Sequence, residues 1–178
     1  LLVHKAFKAV KKTVYRKQAM ANDKQYKLKT IYLATRGVEE YRQTINQWIK
    51  EDDKVLEIGC EWGTTSRLIF EKCKNLIATD ISEDCLEKAR LKNPEIVFKQ
   101  LDAFNIQAAM ALGKSFNKIY IDMSGLSSYR SLLDVIALLN MYSSIFSPEA
   151  IIIKSGSLKH FATKCIAWRN TDSSLLHN

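Results

Sequence analysis

The chain has 178 residues, 47% hydrophobic and 26% charged, with 6 Gly and 2 Pro, which suits one globular domain plus an extension and excludes collagenous and low-complexity chains. No run approaches the roughly 18 apolar residues of a membrane helix and no secretory-signal core is visible, so a soluble, cytoplasmic protein without integral membrane association is expected. Cys60, Cys73, Cys85 and Cys165 form no Cys-x-x-Cys pair, nor any ligand-spaced cluster with His4, His160 and His177. That predicts reduced thiols and no metal site.

The net charge of +8 is unevenly placed: residues 1–50 carry twelve Lys/Arg against three acids, whereas residues 51–178 carry fifteen against sixteen. A localised basic segment on a near-neutral body attracts polyanions at long range; the alternative is a solvated helix face. Within it, Val3, Phe7, Val10 and Val14 recur at helical spacing among Lys5, Lys8, Lys12 and Arg16, predicting a basic amphipathic helix over 1–18. Its apolar stripe can pack on the body, dock on a partner or membrane surface, or serve as a targeting segment. Residues 38–50 read as a second helix with Tyr41, Ile45, Trp48 and Ile49 on one side. The expected domains are a basic helical extension over 1–50, an α/β domain over 51–170 and a polar tail over 171–178.

From Lys54 the hydrophobic period changes. Short apolar runs at 54–59, 75–81, 96–102, 118–124 and 150–155 alternate with helical stretches, the longest at 128–146. Such alternation predicts a Rossmann-like open parallel sheet with helices on both faces and a ligand crevice beyond the carboxyl ends of the strands. Ile119-Tyr120-Ile121 and Ile151-Ile152-Ile153 are apolar throughout, as strands covered on both faces should be.

The strand ends carry the chemistry. The first closes in Glu57-Ile58-Gly59-Cys60-Glu61-Trp62-Gly63, a tight turn into a helix where a side chain would block a ligand approaching the backbone. The dinucleotide fingerprint G-x-G-x-x-G is absent, which disfavours nicotinamide and flavin. Asp80 ends the second strand, twenty-one residues after Gly59, where a carboxylate can accept two ribose hydroxyls. Asp102-Ala103-Phe104 follow the third strand, Asp122 the fourth and Lys154 the fifth.

Glu57-x-Gly59-x-x-x-Gly63 resembles motif I of the class I S-adenosylmethionine-dependent methyltransferases, with Glu61 where their middle glycine usually stands. The resemblance spans about residues 38–155. It implies the class I fold, S-adenosyl-L-methionine as cofactor, and a cofactor site made of Glu57, Gly59, Gly63, Asp80, Asp102, Ala103 and Phe104. The acid after the third strand would take the adenine amino group and the residues after it would line the ring. No Asn/Asp-Pro-Pro-aromatic motif follows the fourth strand. Cys60 reads as loop lining, since no Pro-Cys nucleophile is present.

Lys154 after three apolar residues is costly unless the strand end opens into a polar site, so Asp122 and Lys154 should share one crevice. The pair is similar to part of the Lys-Asp-Lys-Glu set of RNA ribose 2′-O-methyltransferases, which makes Asp122 and Lys154 the candidate catalytic residues, with Ser124 and Ser155 as helpers. Lys27 or Lys29 would be the upstream lysine, and no glutamate matches after Lys154. A plain buried ion pair between Asp122 and Lys154 is the alternative. The methyl acceptor this implies is RNA, bound through the basic segment. A small-molecule or protein acceptor and a noncatalytic adenosyl-ligand module stand beside it. Five strands are legible where the family fold has seven, the last two an antiparallel hairpin, so the last strands are expected to be missing.

Overall fold

The computed structural model describes residues 29–165 except Ser124 and Ser127. The predicted basic helix, Lys27, Ser124 and the polar tail lie outside those residues. In chain order the elements are β1 (Ile31–Thr35), α1 (Val38–Trp48), β2 (Val55–Ile58), α2 (Thr64–Lys72), β3 (Leu76–Asp80), α3 (Glu83–Lys92), β4 (Val97–Gln100), α4 (Ile106–Leu112), β5 (Lys118–Ile121), α5 (Leu132–Phe146), β6 (Ala150–Lys154) and α6 (Gly156–Lys164).

The strands form one parallel sheet in the order β1-β6-β5-β2-β3-β4. From the central β2 the chain winds outward through β3 and β4, then returns to β5 and winds the other way, so the switch point lies between β2 and β5. This is the expected Rossmann-like class I fold. Alternation along the buried strands divides the core. Val55, Ala78, Tyr120 and Ile152 face α1, α2 and α3, while Leu56, Ile58, Ile119, Ile121, Ile151 and Ile153 face α4 and α5, with Leu158 of α6 at the margin. Each buried isoleucine contributes about 1.5–3 kcal/mol, which favours these short β-branched runs as central strands.

β1 is a correction to the sequence reading. It lies in the stretch assigned to a helical extension, and with α1 it packs into the sheet domain, so that domain begins well before residue 51. Ile31 and Tyr32 are exposed because β1 is an edge strand paired only with β6. Side chains help fix it: Thr30 Oγ1 donates to the Pro148 carbonyl at 2.8 Å, and Tyr32 Oη lies 2.6 Å from Ser143 Oγ. On its outer side β6 pairs with a parallel strand from the other end of the chain, and no antiparallel hairpin follows it among the described residues.

At the amino end of the sheet, Lys118 is buried with its ammonium 3.3 Å from Asp53 and 2.5 Å from Glu149. Asp53 also accepts the Lys50 N–H at 2.8 Å and the Asn117 amide at 2.5 Å. This polar cluster anchors the end of the sheet remote from the crevice.

Candidate active site

The carboxyl ends of β2 to β6 surround a cavity of about 450 Å³. Gly59, Glu61, Asp80, Asp102, Ala103, Asp122 and Lys154 all line it. The backbone turns sharply where β2 ends, with Gly59 at φ +82° and its N–H donating to the Thr79 carbonyl at 2.8 Å. A methyl group on Gly59 would overlap the Asp122 carbonyl, lying 2.8 Å from its carbon. Glycine is therefore demanded by the close passage of the β5 end, not only by a ligand.

Glu61, in place of the middle motif glycine, adopts φ +50°, a left-handed conformation costing a non-glycine residue roughly 1–2 kcal/mol. The conformation has a use. It aims the Glu61 N–H at Asp80 Oδ2, 2.9 Å away, while the Ser82 N–H donates to Asp80 Oδ1 at 2.9 Å. Each carboxylate oxygen thus holds one backbone donor and keeps a lone-pair direction for a ligand hydroxyl. Beside it Ile81 is 65% exposed in the cavity wall, an apolar surface that a flat ring can cover.

Asp102 Oδ1 accepts the Phe104 N–H at 3.0 Å, a short turn that fixes the acid after β4. Ala103 is buried with its carbonyl accepting the Tyr142 hydroxyl at 3.0 Å. Across the cavity Lys154 Nζ sits 2.5 Å from Asp122 Oδ1, both side chains mostly buried. Register explains the meeting: Ile121 pairs with Ile153, so the next residues leave the two strands side by side.

Three expected residues stay off the lining. Glu57 is buried between the sheet and α1–α2, and burial pushes its carboxyl up to about 7, opposed by the Ser66 hydroxyl and reinforced by Asp122. Its Oε2 has no hydrogen-bond partner among the described residues. Gly63 packs against α3 and β4, where an added methyl would meet Asn93 Nδ2 at 2.9 Å and Phe98 at 3.1 Å. Phe104 is 43% exposed and lies outside the lining.

The helper and lysine expectations also change. The Ser155 hydroxyl is fully buried, donating to the Leu126 carbonyl at 3.2 Å and capping α6 by accepting the Leu158 N–H, so it cannot serve an acceptor. Lys29 precedes β1, and because Thr35 is the β1 residue in register with Lys154, Lys29 lies about 20 Å away toward the other end of the sheet. It cannot be the upstream lysine of a ribose-methylating set. Cys60 is buried in the core and lies off the lining, and burial pushes its thiol well up, which argues against a nucleophile. Ile81, Ser82, Leu101 and Met123 line the cavity without having been singled out; each lies within two residues of an acid at a strand end.

Residues 55–142 match the family described as a methyltransferase domain. The sheet that holds this segment has the class I methyltransferase fold. The domain's fold is similar to that of DesVI of Streptomyces venezuelae, with 16% identity and a TM-score of 0.51 over 66% of this chain and 52% of that one. It is likewise similar to a sugar N-methyltransferase of a Streptoalloteichus species, with 14% identity and a TM-score of 0.52 over 66% of this chain and 46% of that one. The chain spans about half the length of these proteins. No curated protein matches it in sequence.

Proposed function

We propose that this chain is an S-adenosylmethionine-dependent methyltransferase. The observation that carries the reading is Asp80, held by two backbone N–H groups with one acceptor direction free on each oxygen, in a cavity where four carboxylates face one ammonium. That acidic excess fits a ligand bearing sulfonium and ammonium charges. Asp80 would hold the ribose, Asp102 and Ala103 the adenine edge, Ile81 the ring face, and Gly59 the backbone floor. Glu57 acts behind the floor through its buried carboxyl, and Gly63 and Phe104 shape the loops. S-adenosylmethionine supplies a methyl group on a good leaving group, so the protein's task is alignment and, for a hydroxyl or neutral amine, removal of a proton. Asp122 and Lys154 stand at the strand ends that border the acceptor side. The Lys154 ammonium, 2.5 Å from Asp122 Oδ1, fixes the position of that carboxyl group beside the acceptor side.

The acceptor class we favour is RNA, on the strength of the basic excess in residues 1–50, with no assignment of a ribose 2′-oxygen. A small-molecule acceptor is the competing reading; a shared fold does not decide between them. Titration calorimetry with S-adenosylhomocysteine tests the cofactor half. Asp80→Ala should weaken binding by about a hundredfold or more, since two charge-assisted hydrogen bonds are lost. Equal affinity in Asp80→Ala and the parent would overturn the site. Methyl transfer from tritiated cofactor to RNA, with affinity falling steeply as salt rises, tests the acceptor half. Binding without transfer to any pool would favour the noncatalytic module.

A further inference from the structure

A second cavity, of about 660 Å³, lies along the same edge of the sheet and has the opposite electrical character. Its walls come from the end of β1, the loop after β5 and the first turns of α6. Arg36, Lys159 and His160 line it together with Tyr129, Ser128 and Thr163, and among the described residues no acidic side chain does. Glu40 accepts the Arg36 backbone N–H and pairs with Lys159, and those contacts hold its carboxyl below the usual range. One carboxylate therefore answers two permanent cations. Among the described residues the Arg36 guanidinium has no ion-pair partner. Tyr129, 58% exposed, stands edge-on to His160 with ring centroids 5.9 Å apart.

The two cavities draw on neighbouring stretches of chain, after β5 and from the end of β6 into α6. Asp122 and Lys154 belong to the acidic one, Ser128 and the turn at 156–157 to the basic one, and between them Ser155 Oγ is bonded to the Leu126 carbonyl. A molecule in the basic cavity is thus a neighbour of the Asp122–Lys154 pair. We propose that the basic cavity is the acceptor subsite and that it grips a phosphate group of the methyl acceptor. This rests on the methyltransferase reading given above. Phosphate fits better than carboxylate because the donors, a guanidinium, an ammonium, an imidazole and several hydroxyls, converge from different elements, and a tetrahedral oxyanion presents three terminal oxygens to them where a planar carboxylate presents two. Tyr129 offers a flat face for the sugar or base beside it. Sugar phosphates and the RNA backbone share this chemistry, and the experiment separates them.

The full chain, saturated with S-adenosylhomocysteine, is titrated calorimetrically with ribose 5-phosphate, with ribose, and with a six-nucleotide uridine oligonucleotide. The parent should bind ribose 5-phosphate or the oligonucleotide, and ribose not measurably. Arg36→Ala and His160→Ala should each weaken the phosphate ligand that binds, Arg36→Ala by at least about tenfold, as loss of a charge-assisted contact requires. Both variants should retain the parent's melting temperature within a few degrees and its S-adenosylhomocysteine affinity. Binding of ribose 5-phosphate identifies a sugar phosphate as sufficient. Binding of the oligonucleotide alone identifies the RNA backbone. No binding by either phosphate ligand, or binding that survives Arg36→Ala unchanged, overturns the proposal. If S-adenosylhomocysteine itself fails to bind, the methyltransferase reading falls, and the titrations repeated without it still decide the phosphate site.

Discussion

Gly59→Ala separates two costs that a glycine at positive φ can conceal. The first is backbone strain: φ +82° places alanine in the left-handed region, roughly 1–2 kcal/mol above its usual conformations. The second is steric. The added methyl would lie 2.8 Å from the Asp122 carbonyl carbon, inside the roughly 3.5–4.0 Å at which carbon atoms attract, so the end of β5 or the β2 turn must move. Overpacking against a side chain costs about 1–3 kcal/mol, and backbone held by Asp122 N–H donation to the Ile58 carbonyl at 2.9 Å is less able to yield. A total of about 3–5 kcal/mol follows, a large share of a stability of about 5–15 kcal/mol. Gly125→Ala supplies the control, since Gly125 has φ +90° but none of the described residues within 4 Å of an added methyl, and should lose only the strain component. Urea denaturation of both variants measures the difference. Equal losses would show that the β2–β5 contact is not rigid, and the argument that Asp122 is positioned by it would fail. Because the same movement displaces Asp122, Gly59→Ala should also abolish methyl transfer at temperatures where it remains folded.

Glu57→Gln should flatten the pH dependence of stability. The folded chain keeps the Glu57 proton to about pH 7, whereas an exposed glutamate loses it near 4.5, so the folded state binds the extra proton between those values. The contribution is complete below about 4.5 and is lost as pH rises through about 7, by about 3 kcal/mol. Parallel urea-midpoint curves for parent and variant across that window would refute it. Lys118→Met should destabilise by about 3–5 kcal/mol by leaving Asp53 buried without its ammonium, and Lys118→Met with Asp53→Leu should recover part of the loss; a single-variant loss under 1 kcal/mol in the same assay would show that Lys50 and Asn117 suffice. Lys154→Ala should preserve S-adenosylhomocysteine affinity within about threefold and cut methyl transfer by about a hundredfold or more, and transfer within twofold of the parent would remove the pair from the chemistry.

The fold was legible where burial is two-sided. The runs ending in Ile121 and Ile153 are apolar over their last three residues and the run ending in Ile58 is broken only by Glu57, and their alternation with amphipathic stretches leaves few topologies. β1 was not legible because an edge strand is half exposed: Ile31 and Tyr32 face solvent, and the preceding lysines gave the whole segment a helical, basic appearance. At the site, Asp80, Asp102, Asp122 and Lys154 were readable from position alone, since parallel strands deliver whatever follows them to one edge. Arg36, Tyr129 and His160 were not. They stand on a strand end, a loop and a helix, at intervals that form no motif, and only the pairing of β1 with β6 brings them together.

The two motif glycines show the limit of spacing as a guide. Gly59 and Gly63 both take positive φ, and either reads as a place for a ligand to approach. Only Gly59 borders the cavity, and even there the atom that forbids a side chain belongs to Asp122 rather than to a ligand; at Gly63 the neighbours are Asn93 and Phe98. A glycine turn is thus first a device for bringing β5 against the end of β2. That contact carries Asp122 to the cavity, and the β5–β6 register then sets Lys154 beside it. Glu61 fits the same logic: a strained residue is tolerated where a glycine was expected because its N–H fixes Asp80, so the loop's conformation is held by the acid it presents.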